Sequence, residues 1–243
     1  MSTRHETTTT LAWMHAGQAH VEAVVDGLDD DALRAPSALP GWTRAHVVGH
    51  LARNAEALGR LAAWARTGVE TPMYADAEER DRGIEESAAR PIAWLRAELV
   101  STAADLAAAL AELSDTEWTA SVRSAQGRTI PAAEVPWMRT REVWLHAHDI
   151  DASLGTDHET PLRLPDGMAE VLLDDITAVM SAREGCPSML LRSPDGRWRL
   201  GRGEPVAVLD GPAGALAGWL TGRSTGGDVA SSNGSVPGAP RWL

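Results

Sequence analysis

Apolar residues recur at helical spacing through the first 155 positions, and that spacing predicts four long helices. The first is expected over residues 8–27, with Leu11, Met14, Val21, Val24 and Val25 on its apolar face. An acidic stretch, 28–33, and two prolines, Pro36 and Pro40, interrupt the pattern. Pro40-Gly41 is a turn signal, and Thr43 behind it is a good N-cap for a second helix running to about residue 66, where Thr67-Gly68 stops it. Residues 70–86 are polar and weakly periodic, and predict a connection. A third helix is expected over 91–113, alanine-rich, with Pro91 near its first turn. Residues 121–131 read as another polar connection. The fourth helix starts at Ala132 or Pro136 and runs to residue 153, ended by Leu154-Gly155. Long helices with modest connections predict a bundle.

Beyond residue 155 the pattern changes. A helix is expected over 166–183, then a hairpin in which 188–193 and 197–200 flank Pro-Asp-Gly. A short strand over 205–209 and an Ala/Leu/Trp helix over 211–222 follow, and 224–243 looks irregular, although its final Arg-Trp-Leu could dock. The organisation expected is a four-helix bundle over 1–155 and a small α/β domain over 156–243.

Charge and composition narrow the chemistry. The chain carries 34 acidic against 22 basic residues, a formal charge of -12, with no Arg-rich run to offset it. Such a field repels phosphate backbones, so nucleic acid is a poor partner. No apolar run approaches the roughly 20 residues that span a bilayer, and the N-terminus lacks a signal-peptide pattern. A soluble, cytoplasmic protein with no membrane partner is expected, a monomer. Lysine is absent, which excludes Schiff-base chemistry and a P-loop lysine. The single cysteine, Cys186, excludes an intrachain disulfide and a Cys-rich zinc site, and no histidine pairs with it in sequence. Any thiol chemistry needs a thiol from outside. There is no phenylalanine, so the ten tryptophans supply most of the aromatic volume.

One constellation could carry chemistry. His46 and His50 lie four apart on the second helix, Glu142 and His146 four apart on the fourth, so each pair shares a helix face. With Glu142 at zero on a helical wheel, His146 falls near 40° and Asp149 near 340°, inside an apolar arc formed by Met138, Val143, Leu145, Ile150 and Leu154. A carboxylate there needs a partner. On the second helix His50 lies nearer than His46 to the apolar centre set by Val47, Leu51, Leu58 and Ala62. The arithmetic therefore names His50, Glu142 and His146 as candidate ligands. Zinc commonly takes three protein ligands when one position stays open for water or substrate. The bland reading is a buried hydrogen-bonded Glu/His pair. His46 reads as a helix-start or supporting residue, and His15, His20 and His158 as surface residues.

Several segments, taken in order, resemble one family. They are G-W-T-R-A-H-V-V-G-H-L-A-R-N-A, E-T-P-M-Y, A-Q-G-R-T-I-P-A, W-M-R-T-R-E-V-W-L-H-A-H-D-I, L-A-G-W-L-T-G-R and the terminal P-R-W-L. Together they are similar to mycothiol-dependent maleylpyruvate isomerases over nearly the full length. The resemblance implies a DinB-like four-helix bundle followed by a small α+β, sterol-carrier-like domain. It implies a divalent zinc on His50, Glu142 and His146, with mycothiol as thiol cosubstrate. It places the family's arginines on Arg80 and Arg223, which would bind and orient anionic groups of substrate or cosubstrate, with Arg82 the neighbouring choice to Arg80. Arg223 would bring the second domain to the site, with the cleft between domains as the pocket.

The activity so implied is cis–trans isomerisation of maleylpyruvate to fumarylpyruvate in gentisate-type aromatic degradation. Two other functions fit the same residues: a mycothiol S-transferase, which would consume the thiol, and a non-catalytic zinc-stabilised module. The latter requires a fourth protein ligand, from His46 or Asp149. A metal-dependent hydrolase is a third, weaker alternative.

Overall fold

The computed structural model describes residues 6–151 and 162–240. The first part of the chain runs α1 (Thr7–Asp26), α2 (Asp30–Arg34), α3 (Arg44–Thr67), α4 (Ala77–Ala88), α5 (Ile92–Ala111) and α6 (Asp115–Trp118). A hairpin of β1 (Ser121–Arg123) and β2 (Thr129–Pro131) and a 3₁₀ turn (Ala132–Glu134) then lead into α7 (Val135–Asp151). The four long helices α1, α3, α5 and α7 pack into the expected bundle, α1 against α7 and α3 against both α5 and α7. Thr43 caps α3 as its sequence predicts: its side chain accepts from the His46 N–H, while His46 Nδ1 accepts from the Thr43 N–H at 3.2 Å. Gly68, at φ 72°, closes the same helix in the left-handed conformation that suits glycine.

The two stretches read as connections are more ordered than the pattern suggested. Residues 70–86 contain most of α4, started by Asp76, whose Oδ1 accepts from the Glu79 N–H at 2.7 Å, with Glu78 and Glu79 in the first turn. Its buried residues are only Ile84, Ser87 and Ala88, too thin a stripe to show as periodicity. Residues 121–131 form the β1–β2 hairpin, pairing Val122 with Ile130 so that both are buried. The acidic stretch 28–33 folds into α2, capped by Asp29. The expected fourth-helix ending at 153–155 lies outside the described residues.

Two apolar clusters fill the bundle. One gathers Met14, Leu58, Leu61, Leu106, Leu110 and Val135, and the other Val21, Val47, Leu51, Leu99, Val143 and Ile150. On three helices the change from one cluster to the other falls at a polar residue: Gln18 on α1, Asn54 on α3 and Arg139 on α7. The Arg139 guanidinium, 1% exposed, donates to the Leu51 carbonyl (2.7 Å), Asn54 Oδ1 (2.9 Å) and Gln18 Oε1 (3.0 Å). Every acceptor is neutral, so the layer is held by matched donors and acceptors.

Arginine forks also tie off helix ends. Arg44 donates to Ile150 O near the end of α7 (2.9 Å) and to Ala32 O (2.7 Å). Arg96 reaches Val25 O and Leu28 O past α1, and Arg34 reaches Ala88 O and Arg90 O past α4. Terminal carbonyls have no intrahelical partner, and a planar fork can take two at once.

The second part runs α8 (Met168–Ser181), β3 (Met189–Arg192), β4 (Arg197–Leu200), β5 (Ala207–Asp210), α9 (Ala213–Leu220) and β6 (Ala230–Ser231). The sheet order is β4-β3-β5-β6, with β3 antiparallel to β4 and parallel to β5, and β5 antiparallel to β6. The predicted Asp-Gly hairpin is β3–β4. The segment read as irregular supplies β6, whose two residues are too few to show a pattern; the terminal Arg-Trp-Leu lies outside the described residues. This is a mixed α+β fold, and the chain divides into two compact units, Met1–Leu154 and Gly155–Leu243. Among the described residues no helix is long and apolar enough to cross a membrane.

The close approach of α1 to α7 at Gly17 is testable. A Cβ on Gly17 would stand 2.4 Å from Val143 Cγ2 and 2.6 Å from Trp144 Nε1, whereas one on Gly59 would meet nothing within 4 Å. Gly17→Ala should destabilise the protein by about 1–3 kcal/mol through overpacking. Gly59→Ala should stabilise it by about 0.5–1 kcal/mol through helix propensity. Urea unfolding midpoints would check both signs.

Candidate metal centre

The packing of α3 on α7 brings three side chains together. His50 lies two turns into α3 and is buried at 5% exposure; Glu142 and His146 are one turn apart on α7. Glu142 Oε2 lies 2.9 Å from His50 Nε2 and 3.2 Å from His146 Nε2. One ligand atom from each of the three residues lies within 4.8 Å of the others. The imidazole rings meet edge-on, centroids 4.8 Å apart. Trp42, from the turn before α3, lies against His50 at 5.5 Å.

Asp149 fixes the orientation of His146. Its Oδ2 lies 2.8 Å from His146 Nδ1, and a carboxylate only accepts, so Nδ1 carries a proton and Nε2 is left to face Glu142. This carboxylate–histidine arrangement commonly supports a metal-bound imidazole. Asp149 is itself buried, at 1% exposure. His50 Nδ1 is buried with no hydrogen-bond partner among the described residues, so none of them draws that ring away from Glu142.

Electrostatics show what the cluster demands. Burial works to raise the Glu142 carboxyl, but hydrogen bonds from His146 and His50 and their charges override it and hold the group well below the usual carboxylate range. Burial pushes His50 down by more than Glu142 restores. Burial also pushes His146 down, yet Asp149 and Glu142 outweigh it and the net shift is upward. The ionised carboxylate therefore calls for positive charge among three converging acceptor atoms. Hydrogen bonds from the two imidazoles supply part of it, and a divalent cation would supply more. Two imidazole nitrogens and one carboxylate oxygen suit zinc, and the residues fit such an ion.

The remaining residues singled out in the sequence divide clearly. His46 faces away from the cluster, with Nδ1 on Thr43 and Nε2 3.2 Å from Glu85. Among the described residues, then, neither His46 nor Asp149 joins the three as a fourth ligand. His15 and His20 are exposed, as expected, and His158 lies outside the described residues. Arg80 is half-buried on α4, paired with Asp81 at 2.7 Å, and lines a cavity of about 220 Å³ with Arg60 and Tyr74. Its charge acts on His50, whereas Arg82 lines the same cavity with an exposed side chain. Arg223 lies in the second unit, its guanidinium donating to Thr221 O at 2.9 Å. Cys186 also lies there, half-buried, its thiol pushed up by burial.

Sequence arithmetic missed the orienting role of Asp149, although its position three residues after His146 was the available signal. It also missed the placement of Tyr74, which depends on how a polar loop folds back. Asp149→Asn should weaken zinc affinity by about 10–100-fold while the helical content is kept, read by competition with a chromophoric chelator. Protons compete for the same nitrogens, so zinc affinity should fall as pH drops through the raised value of His146. Loss should therefore begin above the ordinary imidazole value of about 6.5.

Comparisons with known proteins identify the family. A family model described as the mycothiol maleylpyruvate isomerase N-terminal domain matches residues 14–151. The crystal structure of the mycothiol-dependent maleylpyruvate isomerase is 32% identical, covers 100% of both chains and superposes with a TM-score of 0.90. A histidine-to-alanine mutant of that isomerase matches at 32% identity, 100% of both chains and a TM-score of 0.89. YfiT from Bacillus subtilis, described as a probable metal-dependent hydrolase with an unusual four-helix bundle topology, is 18% identical. It covers 65% of this chain and 92% of its own with a TM-score of 0.51, a likeness of fold alone. No curated protein sequence matches significantly. With its family model spanning more than half of the sequence and full-length structural relatives at 32% identity, the chain belongs to the mycothiol-dependent maleylpyruvate isomerase family.

Proposed function

We propose that this protein isomerises maleylpyruvate to fumarylpyruvate with mycothiol as a recycled thiol, in gentisate-type aromatic degradation, as a cytoplasmic monomer. The observation that carries the reading is the convergence of His50, Glu142 and His146 with no fourth protein ligand among the described residues. A closed, purely structural zinc site would need His46 or Asp149, and both are engaged elsewhere.

The substrate's cis double bond is conjugated to a carbonyl and does not rotate. Addition of the mycothiol thiolate makes it a single bond, which rotates; expulsion of the thiolate restores the alkene as trans. A zinc ion on the three ligands would supply the Lewis-acid charge that favours the thiolate form at neutral pH. The protein's own residues set the conditions for this chemistry. His50, Glu142 and His146 would hold the ion, and Asp149 keeps the His146 ring oriented with Nε2 toward Glu142.

Arg80 binds an anionic group of substrate or cosubstrate; its half-buried position and its influence on His50 support that role over Arg82. Arg223 is assigned the same kind of role on family resemblance alone. Burial pushes the Cys186 thiol up, which disfavours a thiolate from the protein itself.

Proton NMR of maleylpyruvate with the zinc-loaded protein tests the proposal. Conversion should occur only with mycothiol present, and the thiol should be recovered. An adduct that consumes thiol stoichiometrically would replace isomerase with S-transferase. His50→Ala, Glu142→Ala and His146→Ala should each lower turnover by about 1,000-fold or more, the scale of several kcal/mol of lost electrostatic stabilisation, and should release the metal. A fully active, metal-free Glu142→Ala protein would overturn the site.

A further inference from the structure

The cavity beside α3 contains a phenol that the mechanism above does not use. Tyr74 is the only tyrosine of the chain. It follows Met73, whose carbonyl accepts from Arg60 at 2.7 Å and whose side chain is buried in the bundle core. The Tyr74 ring packs against that same core, leaving the residue half-buried. The hydroxyl has no hydrogen-bond partner among the described residues, although buried or half-buried phenols usually find one. Tyr74 lines the 220 Å³ cavity with Arg53, Arg60 and Arg80, and three carboxylates, Glu56, Glu79 and Glu86, share its walls.

Two residues that α3 gives this cavity lie on the same side of the helix as His50, about one and three turns further along. His50, Arg53 and Arg60 stand at i, i+3 and i+10, within about 80° of one another on a helix turning 100° per residue. Tyr74 is close enough to the cluster that the Glu142 charge acts on it, and it also feels Arg80, Arg60 and Arg139. A hydroxyl with no acceptor among the described residues thus shares a cavity with Arg60 and Arg80, two cations suited to carboxylates, and feels the charge of one cluster residue, Glu142. Arg60 has no carboxylate partner among the described residues, and Arg80 has only its exposed neighbour Asp81.

We propose that Tyr74 is a catalytic hydrogen-bond donor whose hydroxyl stabilises the enolate oxygen formed when the thiolate adds to the substrate. The inference rests on the isomerase reading above. The balance is closed: the sulfur–carbon bond forms as the alkene π pair moves toward the carbonyl, whose own π pair goes onto oxygen. After rotation the oxygen pair returns, the C=C bond re-forms in the trans sense, and the C–S bond breaks to release the thiolate. No oxidant and no net proton are needed. Tyr74 donates a hydrogen bond throughout and keeps its proton.

The phenol is suited to that task. Burial, with the nearby Glu142 charge, pushes Tyr74 up to about 12 despite the opposing arginines, so it remains an O–H donor at neutral pH. Donors of this kind act when charge develops on oxygen, and removing one commonly costs about 10²–10³ in kcat.

The test is Tyr74→Phe, which keeps the ring and removes only the hydroxyl, in zinc-loaded full-length protein with metal content measured. The expected result is kcat lowered about 100-fold, KM within about threefold and zinc retained, the signature of an interaction made in the transition state. A second readout does not depend on the reaction: calorimetric binding of oxalate, a planar mimic of a 2-oxo acid enolate, should weaken about tenfold in the variant. Unchanged kcat, or a raised KM with kcat intact, would overturn the proposal; so would equal oxalate affinity in the two proteins. If the parent protein fails to isomerise maleylpyruvate, the reaction assigned above falls. The oxalate comparison then decides the donor role of Tyr74 by itself.

Discussion

An ionised carboxylate at the junction of two packed helices is the constraint around which this bundle is arranged. Glu142 can stay charged only because His50 comes from α3 and His146 from the next turn of α7. That requirement fixes the rotation and register of the two helices, since a shift of one residue on either would turn a histidine through about 100° and leave the carboxylate alone. Asp149 extends the constraint by one more bond, and Thr43 anchors the start of α3 from which His50 is measured. A site that needs a cation to balance three acceptors is poised to bind one.

The polar layer one turn away on α7 serves the same arrangement. Arg139 is fully buried without a carboxylate bonded to it, and burial lowers it to about 10, opposed by Glu142, Tyr74 and Glu22. At that value it remains charged at neutral pH and contributes a fixed positive field under the cluster. Its hydrogen bonds to Leu51, Asn54 and Gln18 join three helices, so the same residue that supplies charge also sets helix spacing. Lysine, with no planar fork, could not make this set of contacts in the same geometry. The absence of lysine from the whole chain therefore has structural consequences, visible again where Arg34, Arg44 and Arg96 tie off helix ends.

The helix that carries His50 also walls a cavity, completed by α4 and the segment before α4. The first unit supplies arginines, carboxylates and a phenol there. The chain's one cysteine has its thiol pushed up by burial. This division, in which the fold furnishes binding and electrostatics and the nucleophile is brought in, is consistent with a family defined by an external thiol cosubstrate.

Much of this was legible in the sequence, for identifiable reasons. The long helices announced themselves because each buries a wide apolar stripe. The triad could be derived because i, i+4 pairs lie on one face and the wheel places Glu142, His146 and His50 toward the interior. Elements with little buried surface escaped: α4 buries three residues, β6 has two, and the β1–β2 hairpin is three residues a side. Local sequence also could not place Asp149 as the partner of His146 rather than a ligand, since both roles suit its position on the wheel. Nor could it bring Tyr74, 68 residues before Glu142, within reach of that carboxylate's charge. Periodicity encodes which face of an element is buried, and that the sequence determined by itself. Which polar groups then meet across helices depends on packing between segments far apart in the chain, and only the tertiary structure decided it.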